Sequence, residues 1–278
     1  MEKPAGLGLS RGTWVSLGLL GALVALSIFG PMLTGDPTAS LRDRLKPPGT
    51  VLSTGATAWL GTDTLGKDML ASMLLGLRTS LMVAAGATIL SAFVGVILGL
   101  AAGYWRGWID VVISRAVDIE IVFPVILLAI IIAGLVGPSL TNLIIILAAT
   151  RWVVFCRVAR AATLTLRERD YVKSAQLLGV SPLTIIGRHV LPFVIAAIIS
   201  VATLEVGAFV MAEAGLSYLG IGLPTSAVSL GKTVAEGRDY IDTAWWITVF
   251  PGVVLVFLVV IVGLLGDQLS KRNQDVLM

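Results

Sequence analysis

Long apolar runs separated by short polar stretches dominate this sequence. The first, Trp14–Leu33, is uncharged over about 20 residues, long enough to cross a hydrocarbon core of about 30 Å. Later runs predict further spans near residues 79–104, 111–135, 140–155, 193–212 and 247–265. The pattern therefore predicts an all-α integral membrane protein with six transmembrane helices.

Lys3 and Arg11 precede the first run, as basic residues do in a signal peptide. Residues 30–33 offer no small-residue cleavage pattern, so we expect an uncleaved span. Residues 1–78 then form a tail, the first span and an irregular external loop, with a short surface helix at residues 68–77. Residues 79–268 form a core domain of five spans, and residues 269–278 form a tail in the cytoplasm.

The composition agrees with a membrane protein. Apolar residues make up 56% of the chain and charged residues 13%, with a mean hydropathy of +0.95, which excludes an ordinary soluble domain. The lone cysteine, Cys156, excludes an intrachain disulfide. The net charge of +3 reflects basic residues beside the spans, so we expect a lipid bilayer and no nucleic acid as partner.

The distribution of basic residues predicts the orientation. The side of the termini has thirteen: Lys3, Arg11, Arg106, Arg115, Arg151, Arg157, Arg160, Arg167, Arg169, Lys173, Arg188, Lys271 and Arg272. The opposite side has seven: Arg42, Arg44, Lys46, Lys67, Arg78, Lys232 and Arg238. Because cytoplasmic loops carry the excess of Lys and Arg, both termini are predicted to be cytoplasmic.

Residues 167–192 form a charged, amphipathic stretch between the fourth and fifth predicted spans. Gly179 can end a helix in the left-handed conformation, and Ser181 followed by Pro182 can begin another. The stretch therefore predicts two short helices. One side of the first helix would comprise Tyr171, Ala175 and Leu178.

Three pieces of this stretch, Lys173-Ser174-Ala175, Gly179 and His189-Val190-Leu191-Pro192, resemble the "EAA" loop of ABC importer permeases of the peptide and nickel group. Lys173 and Ser174 depart from the usual Glu-Ala opening, whereas the glycine break is kept. We call residues 167–192 the EAA-like segment. The resemblance implies a coupling loop at about residues 160–192 that contacts an ATPase through Tyr171, Lys173, Ser174, Ala175, Leu178, Gly179, His189, Leu191 and Pro192. The alternative is an ordinary basic loop.

Other pieces extend the resemblance from Leu60 to Asp267. Residues 60–68, Leu-Gly-Thr-Asp-Thr-Leu-Gly-Lys-Asp, are similar to the segment that leads into the second span of such permeases, and residues 213–224 to the one that follows the fifth. The resemblance implies a type I ABC importer permease fold in a bacterial cytoplasmic membrane. It also implies a non-catalytic subunit that forms half of a pathway for di- or oligopeptides, or alternatively for nickel complexes.

The implied partners are a homologous second permease, two ATPase subunits or domains, and an external solute-binding protein. ATP and Mg²⁺ would bind to the ATPases, and this chain would bind no cofactor. Gly61–Lys67 and Gly231-Lys232-Thr233 mimic parts of a P-loop, but Asp68 and Ser226 stand where that motif needs a hydroxyl and a glycine. His189 is the sole histidine, so no metal site is predicted.

Gly95, Gly99 and Gly103 recur every four residues and form a stripe along the second predicted span. Such a stripe lets two helices approach closely in lipid. The partner helix could belong to this chain or to another subunit.

Four acids are candidates for polar positions of the pathway: Asp118, Glu120, Glu205 and Glu213. We interpret the first two as a local ion pair with Arg115, beside a Val117-Asp118 and Phe123-Pro124 pattern that also has a family counterpart. Glu205 either faces a polar pathway or pairs with another helix, and Glu213 begins a segment whose glycines and proline permit a re-entrant or tightly folded external loop. A rival hypothesis is a proton-driven secondary transporter in which Asp118, Glu120 and Glu205 form a relay; no clear internal repeat supports it.

Overall fold

The computed structural model describes residues 11–35 and 37–277, and it is almost entirely helical. The helices are α1 (Arg11–Thr34), α2 (Met69–Trp105), α3 (Gly107–Val122), α4 (Val125–Val136), α5 (Leu140–Ala149), α6 (Trp152–Arg167), α7 (Asp170–Leu177), α8 (Pro182–Ile185), α9 (Leu191–Tyr218), α10 (Leu230–Gly237) and α11 (Trp246–Leu277). Four helices of the described residues are long and apolar enough to cross a membrane, and two bent helix pairs raise the number to as many as six. A multi-span membrane protein is confirmed, and the count of six stays a prediction.

The long helix α2 is the centre of the molecule. It packs against α1, α5, α6 and α9 along 37 residues. It begins immediately after Asp68, whose carboxylate accepts a hydrogen bond from the amide of Ala71 at 3.0 Å. The predicted surface helix at residues 68–77 is therefore wrong as a separate element, because nothing interrupts the helix before Thr79.

The third predicted span is broken at Pro124. Helices α3 and α4 meet at an angle of 94°. Phe123 is extended at φ −86° and ψ 129°, as expected for a residue before proline, and Pro124 has no amide hydrogen to continue the helix. The continuous span predicted at residues 111–135 is wrong for this reason.

The fourth predicted span is bent by 43° between α5 and α6. The hydroxyl of Thr150 donates to the carbonyl of Leu147 at 2.9 Å, and Arg151 leaves helical geometry at φ −138° and ψ 4°. The described helix then continues to Arg167, well beyond the predicted end at Phe155. Neither proline nor glycine marks this break.

One end of the helix bundle, which we call the loop end, is covered by residues 37–68 and 219–245. The strands β1 (Thr50–Val51) and β2 (Thr57–Ala58) pair antiparallel within the first of these stretches. The indole of Trp246 donates to the carbonyl of Thr62 at 3.1 Å and joins this stretch to α11. The loop that was predicted as irregular is thus folded and attached to the bundle.

Helix α9 runs further than predicted. It continues to Tyr218, so residues 213–218 are helical where a folded loop was expected. The tight turn comes afterwards, at Gly220 and Gly222, which both have positive φ. Helix α10 then lies against α9 and α11, with Gly231 allowing contact with the backbone of Ala214.

The opposite end, which we call the EAA end, carries the EAA-like segment. A separate apolar cluster forms its core, in which Val172, Ile185 and Val190 are buried against Tyr104 and Phe155. This cluster attaches the segment to α2 and α6 without contact from the loop end. Of the basic residues used to predict orientation, Lys3 lies outside the described residues, as do the side chains of Arg11, Lys271 and Arg272.

Candidate functional site

The EAA-like segment has the predicted break at Gly179. This glycine has φ +74°, and the amides of Gly179 and Val180 donate to the carbonyls of Gln176 and Ala175 at 3.0 and 3.1 Å. These two bonds satisfy carbonyls at the end of α7 in the way of a glycine C-cap. The hydroxyl of Ser181 accepts from the amide of Thr184, and the predicted start of α8 is confirmed.

The apolar face of α7 differs from the predicted one. Val172 is buried and Ala175 is half-buried, whereas Tyr171 and Leu178 are exposed. The most exposed large apolar side chains of the EAA-like segment are Leu177 at 90% and Leu178 at 82%. The segment therefore uses one apolar stripe to attach to its own bundle and presents a second group of large apolar side chains outward.

Polar contacts hold α7 in place. The amide of Gln176 donates to the hydroxyl of Tyr104 at 3.4 Å, and the hydroxyl of Tyr171 is 3.5 Å from the carbonyl of His189. Lys173, which departs from the usual motif, forms an ion pair with Glu168 at 3.1 Å. The Lys173 ammonium lowers the pKa of the Glu168 carboxyl. Lys173 is thus engaged inside this chain.

The second short helix is not separate from the fifth span. Residues 186–190 form a π turn, in which the amide of Leu191 donates to the carbonyl of Ile186, five residues back. The helical path continues through this turn from Pro182 to Tyr218. Pro192 cannot donate to a carbonyl four residues earlier, and a widened turn accommodates it. A displacement of α8 would therefore act directly on α9.

Glu205 has a partner on another helix. The guanidinium of Arg151 donates through Nε to Oε2 at 2.5 Å and through Nη2 to Oε1 at 2.9 Å. Arg151 had been assigned to the cytoplasmic side, and the structure corrects this because it lies at the bend between α5 and α6, facing the middle of α9. Removing it from the count leaves twelve basic residues against seven, so the predicted orientation is unchanged.

The glycine stripe lies against α6 of the same chain. A Cβ at Gly95 would come within 2.6 Å of the Cβ of Phe155, one at Gly99 within 2.7 Å of Ala159, and one at Gly103 within 2.7 Å of Thr163. Of the two partners left open by the sequence, the described residues provide the one within the chain.

The comparisons with known proteins bear on this arrangement. The family described as "Binding-protein-dependent transport system inner membrane component" matches residues 95–275, which include the EAA-like segment, the glycine stripe and the Arg151–Glu205 pair. This chain belongs to that family. The membership of an importer permease family that the EAA-like segment led us to expect is confirmed.

Similar proteins extend the match to most of this permease. A Brucella suis protein provisionally named a peptide transport system permease is 40% identical over 92% of this chain and 84% of its own length. The dipeptide transport system permease protein DppC of Alkalihalophilus pseudofirmus is 36% identical over 92% and 83%. The oligopeptide transport system permease protein OppC of Mycobacterium bovis is 36% identical over 81% and 76%.

Solved structures support the fold. The MetNI methionine ABC transporter, in an inward-facing crystal form, aligns with a TM-score of 0.61 at 19% identity over 74% of this permease and 97% of its own chain. At that identity the likeness speaks for the fold alone. It agrees with the predicted type I ABC importer permease fold.

Asp118 and Glu120 of the permease form no ion pair with Arg115 among the described residues. The local-pair interpretation is wrong: Glu120 lies five residues after Arg115, outside the spacings of three and four at which helix side chains meet. Arg115 and Asp118 are both exposed, where an ion pair stabilises little. Asp118 is exposed, and Glu120 lies beside Trp152 with Oε1 buried and lacking a hydrogen-bond partner. Arg160 instead pairs with Asp110, at 2.5 and 2.8 Å.

Glu213 is fully buried near the loop end and has no cationic partner among the described residues. The hydroxyls of Ser80 and Ser217 donate to its two carboxylate oxygens at 2.6 and 2.7 Å, and Ser229 also contacts it. Glu213 thereby joins α2, α9 and the residue that caps α10. Its place is between helices rather than in a loop.

Sequence reasoning missed Arg151 and Ser80 as partners of the two buried acids. Arg151 is 54 residues from Glu205, and Ser80 is 133 residues from Glu213. An available signal was the position of Arg151 inside an apolar stretch, where an ionisable residue needs a partner. Within the described residues, no cluster of His, Cys, Asp and Glu could hold a metal ion.

Proposed function

We propose that this chain is the transmembrane permease subunit of an ATP-driven importer of di- or oligopeptides. It forms half of the translocation pathway and takes part in an assembly with a second permease, two ATPase subunits or domains, and an external solute-binding protein. The peptide substrate is supported by the names of the relatives that are 34–40% identical to it.

The outward leucines of the EAA-like segment carry this proposal. Leu177, Leu178 and Leu183 are each more than 70% exposed at the EAA end, on a segment that also bears several charges. Covering large apolar side chains outside the membrane with a partner protein removes them from water, which lowers the free energy of the assembly. We assign that partner as the ATPase, with the EAA end in the cytoplasm and the loop end outside, as the distribution of basic residues predicts.

The proposed mechanism uses the continuity of α8 and α9. ATP-driven movement of the ATPases displaces α7 and α8, and the π turn passes the displacement to α9. Tyr171 contributes through its contact with His189 in that turn. Access to the pathway then alternates between the two sides as packed helices move as rigid bodies.

The rival hypothesis of a proton relay is weakened because Glu205 is already paired. Both oxygens of Glu205 are engaged by Arg151, so that this carboxylate is poorly placed to accept protons from Asp118 or Glu120. Nickel complexes remain the second candidate substrate, because no feature of the described residues distinguishes them from peptides.

The experiment is purification of the complex from its native membrane and its reconstitution with the solute-binding protein in liposomes. We expect ATPase subunits to co-purify and labelled dipeptide uptake to require ATP. Uptake that persists without ATP and follows a proton gradient would overturn the proposal. ATP-dependent uptake of a nickel complex, with no peptide uptake, would replace the substrate only.

A further inference from the structure

We propose that Arg151 is a carboxylate-binding residue of the translocation pathway, held ready by Glu205, and that it receives the C-terminal carboxylate of a peptide during import. This inference depends on the proposed function, since it names the part of the substrate that the permease itself contacts.

The depth of the pair is the first argument. Helix α5 has 10 residues between the loop end and the bend, which corresponds to about 15 Å at a rise of about 1.5 Å per residue. Glu205 lies 13 residues before Tyr218, the loop-end terminus of α9, or about 20 Å. Both helices therefore place the pair close to the middle of a hydrocarbon core about 30 Å thick.

Arg151 also has unused hydrogen-bonding capacity. A guanidinium has five N–H donors, and the contacts with Glu205 occupy two of them. No other partner of this side chain is found among residues 11–35 and 37–277, and 26% of its surface is open, against 10% for Glu205. Lipid tails offer no acceptor, so the three remaining N–H donors require water or a polar ligand.

The break between α5 and α6 at Arg151 also favours a polar surrounding for this side chain. Arg151 lies where the backbone leaves helical geometry, and no side chain caps the start of α6. The first amide groups of a helix have no acceptor within it. Irregular backbone at membrane depth is tolerated where it is buried in protein or lines a water-filled cavity. The exposed fraction of the Arg151 side chain favours the cavity.

The chemistry identifies the ligand class. The planar guanidinium of arginine matches a carboxylate, and Glu205 fixes its orientation and balances its charge while three N–H donors stay unused. A C-terminal carboxylate is common to all free peptides whatever their side chains, so one arginine suits a pathway that admits many sequences. Glu205 is accordingly a positioning residue, and Arg151 makes the contact.

A purely structural brace is the competing explanation, and a charge swap separates the two. In Arg151→Glu/Glu205→Arg the pair can still form, but the group at the bend becomes an acid. The matched control is Arg160→Asp/Asp110→Arg, which swaps the pair that Arg160 of α6 forms through two hydrogen bonds, more than two turns nearer the EAA end than Arg151.

The measurement is the initial import rate of a labelled dipeptide and of its C-terminal amide, in liposomes that hold equal amounts of assembled complex. Each peptide is used at a concentration that saturates the solute-binding protein. We expect the wild-type complex and the control swap to import the free acid at least tenfold faster than the amide. The Arg151 swap should bring this ratio close to one.

A wild-type ratio in the Arg151 swap, or no preference in the wild type, would overturn the inference. If the swap does not assemble, Arg151→Lys decides, because it keeps the charge and removes the fork: a reduced ratio supports carboxylate binding, and an unchanged ratio contradicts it. A wild-type complex that imports neither peptide contradicts the proposed function instead.

Discussion

At the residue scale, three acids that this permease places between helices are satisfied in two different ways. Glu205 and Asp110 each bind an arginine through two hydrogen bonds, whereas Glu213 is surrounded by serine hydroxyls. A guanidinium can hold a carboxylate in its charged form, and hydroxyls supply hydrogen bonds without charge. The Arg151–Glu205 pair in the middle of α9 therefore suits a polar role, and the Glu213 site suits a fixed connection between helices.

Replacing Glu213 tests this connection. In Glu213→Leu the hydroxyls of Ser80 and Ser217 lose their acceptors in a buried place, at a cost of about 1–3 kcal/mol for each unsatisfied group. We expect the melting temperature of the detergent-purified complex to fall by several degrees. Glu213→Gln keeps the shape of the side chain and its ability to hydrogen-bond, so it should lower the melting temperature by much less. Equal melting of the leucine variant and the wild type would contradict the connecting role.

The identity of the acids could be predicted from the sequence, but their partners could not. An acid inside an apolar run is visible in the sequence, and Glu205 was recognised in that way. Its partner, Arg151, comes from a different span, and only the bend between α5 and α6 brings the two together. Arg115, the base nearest to Asp118 in the chain, proved to be the wrong partner.

At the element scale, the contact between α2 and α6 sets the architecture of the core. Gly99 lies at the middle of the stripe, and a Cβ there would come within 2.7 Å of the Cβ of Ala159 and 2.9 Å of the amide nitrogen of Arg160. Neither the backbone nor a Cβ can move aside as the end of a long side chain can. The two helices would have to separate.

Gly99→Ala is therefore expected to destabilise the permease by about 1–3 kcal/mol, the usual range for overpacking. Gly86→Ala is the matched control in the same helix, because the atoms nearest to its added methyl group belong to the flexible side chain of Ile144, the first of them at 3.0 Å. Melting temperature and the yield of assembled complex measure both variants. Similar losses for the two would show that close helix approach is not what Gly99 provides.

The turn between α7 and α8 depends on the backbone of Gly179 alone. Nothing lies within 4 Å of a Cβ added there, but φ is +74°, which proline cannot adopt. Gly179→Pro also removes the hydrogen bond to the carbonyl of Gln176. We expect it to abolish substrate-stimulated ATP hydrolysis by the assembled complex while the chain still inserts in the membrane.

Gly179→Asn is the control, because asparagine tolerates the left-handed conformation better than most residues. It should keep most of the stimulated ATP hydrolysis. If the proline variant kept the wild-type rate, the EAA-like segment would not transmit the movement.

Two broken spans show where local sequence is informative and where it is not. Pro124 ends α3 through its missing amide and its effect on Phe123, so the break could have been predicted from the sequence. Pro31 and Pro251 lie inside continuous helices, however, so proline alone does not decide. The bend at Arg151 has no proline or glycine, so no residue of the local sequence marks it.

At the scale of the whole molecule, apolar patterning and motif spacing predicted the class of fold and the family. They missed the folded cover at the loop end, because short strands such as β1 and β2 are too brief to show periodicity. They also missed the continuity of α8 with α9, because the sequence suggested a second loop helix that ends before the membrane. What could be predicted depended on long runs, and what could not depended on contacts between distant residues.

The orientation of the molecule can be tested by labelling single cysteines. The only native cysteine, Cys156, is 1% exposed and can be replaced by alanine. In that background, Leu41→Cys reports on the loop end and Leu177→Cys on the EAA end, since the leucines are 80% and 90% exposed. We expect a membrane-impermeant maleimide to label Leu41→Cys in intact spheroplasts and Leu177→Cys in inverted vesicles.

The second position also tests the assignment of the ATPase as the partner. If the ATPase covers the leucines of α7, labelling of Leu177→Cys in inverted vesicles should be slow in the assembled complex and at least several-fold faster when the permease is expressed without ATPase subunits. Leu41→Cys, labelled in intact spheroplasts, should react at the same rate with and without the ATPase subunits, because it lies at the other end of the molecule. Labelling of Leu177→Cys from outside intact spheroplasts would reverse the orientation and remove the ATPase from this surface. Equal labelling with and without the ATPase would leave the orientation standing and place the docking surface elsewhere.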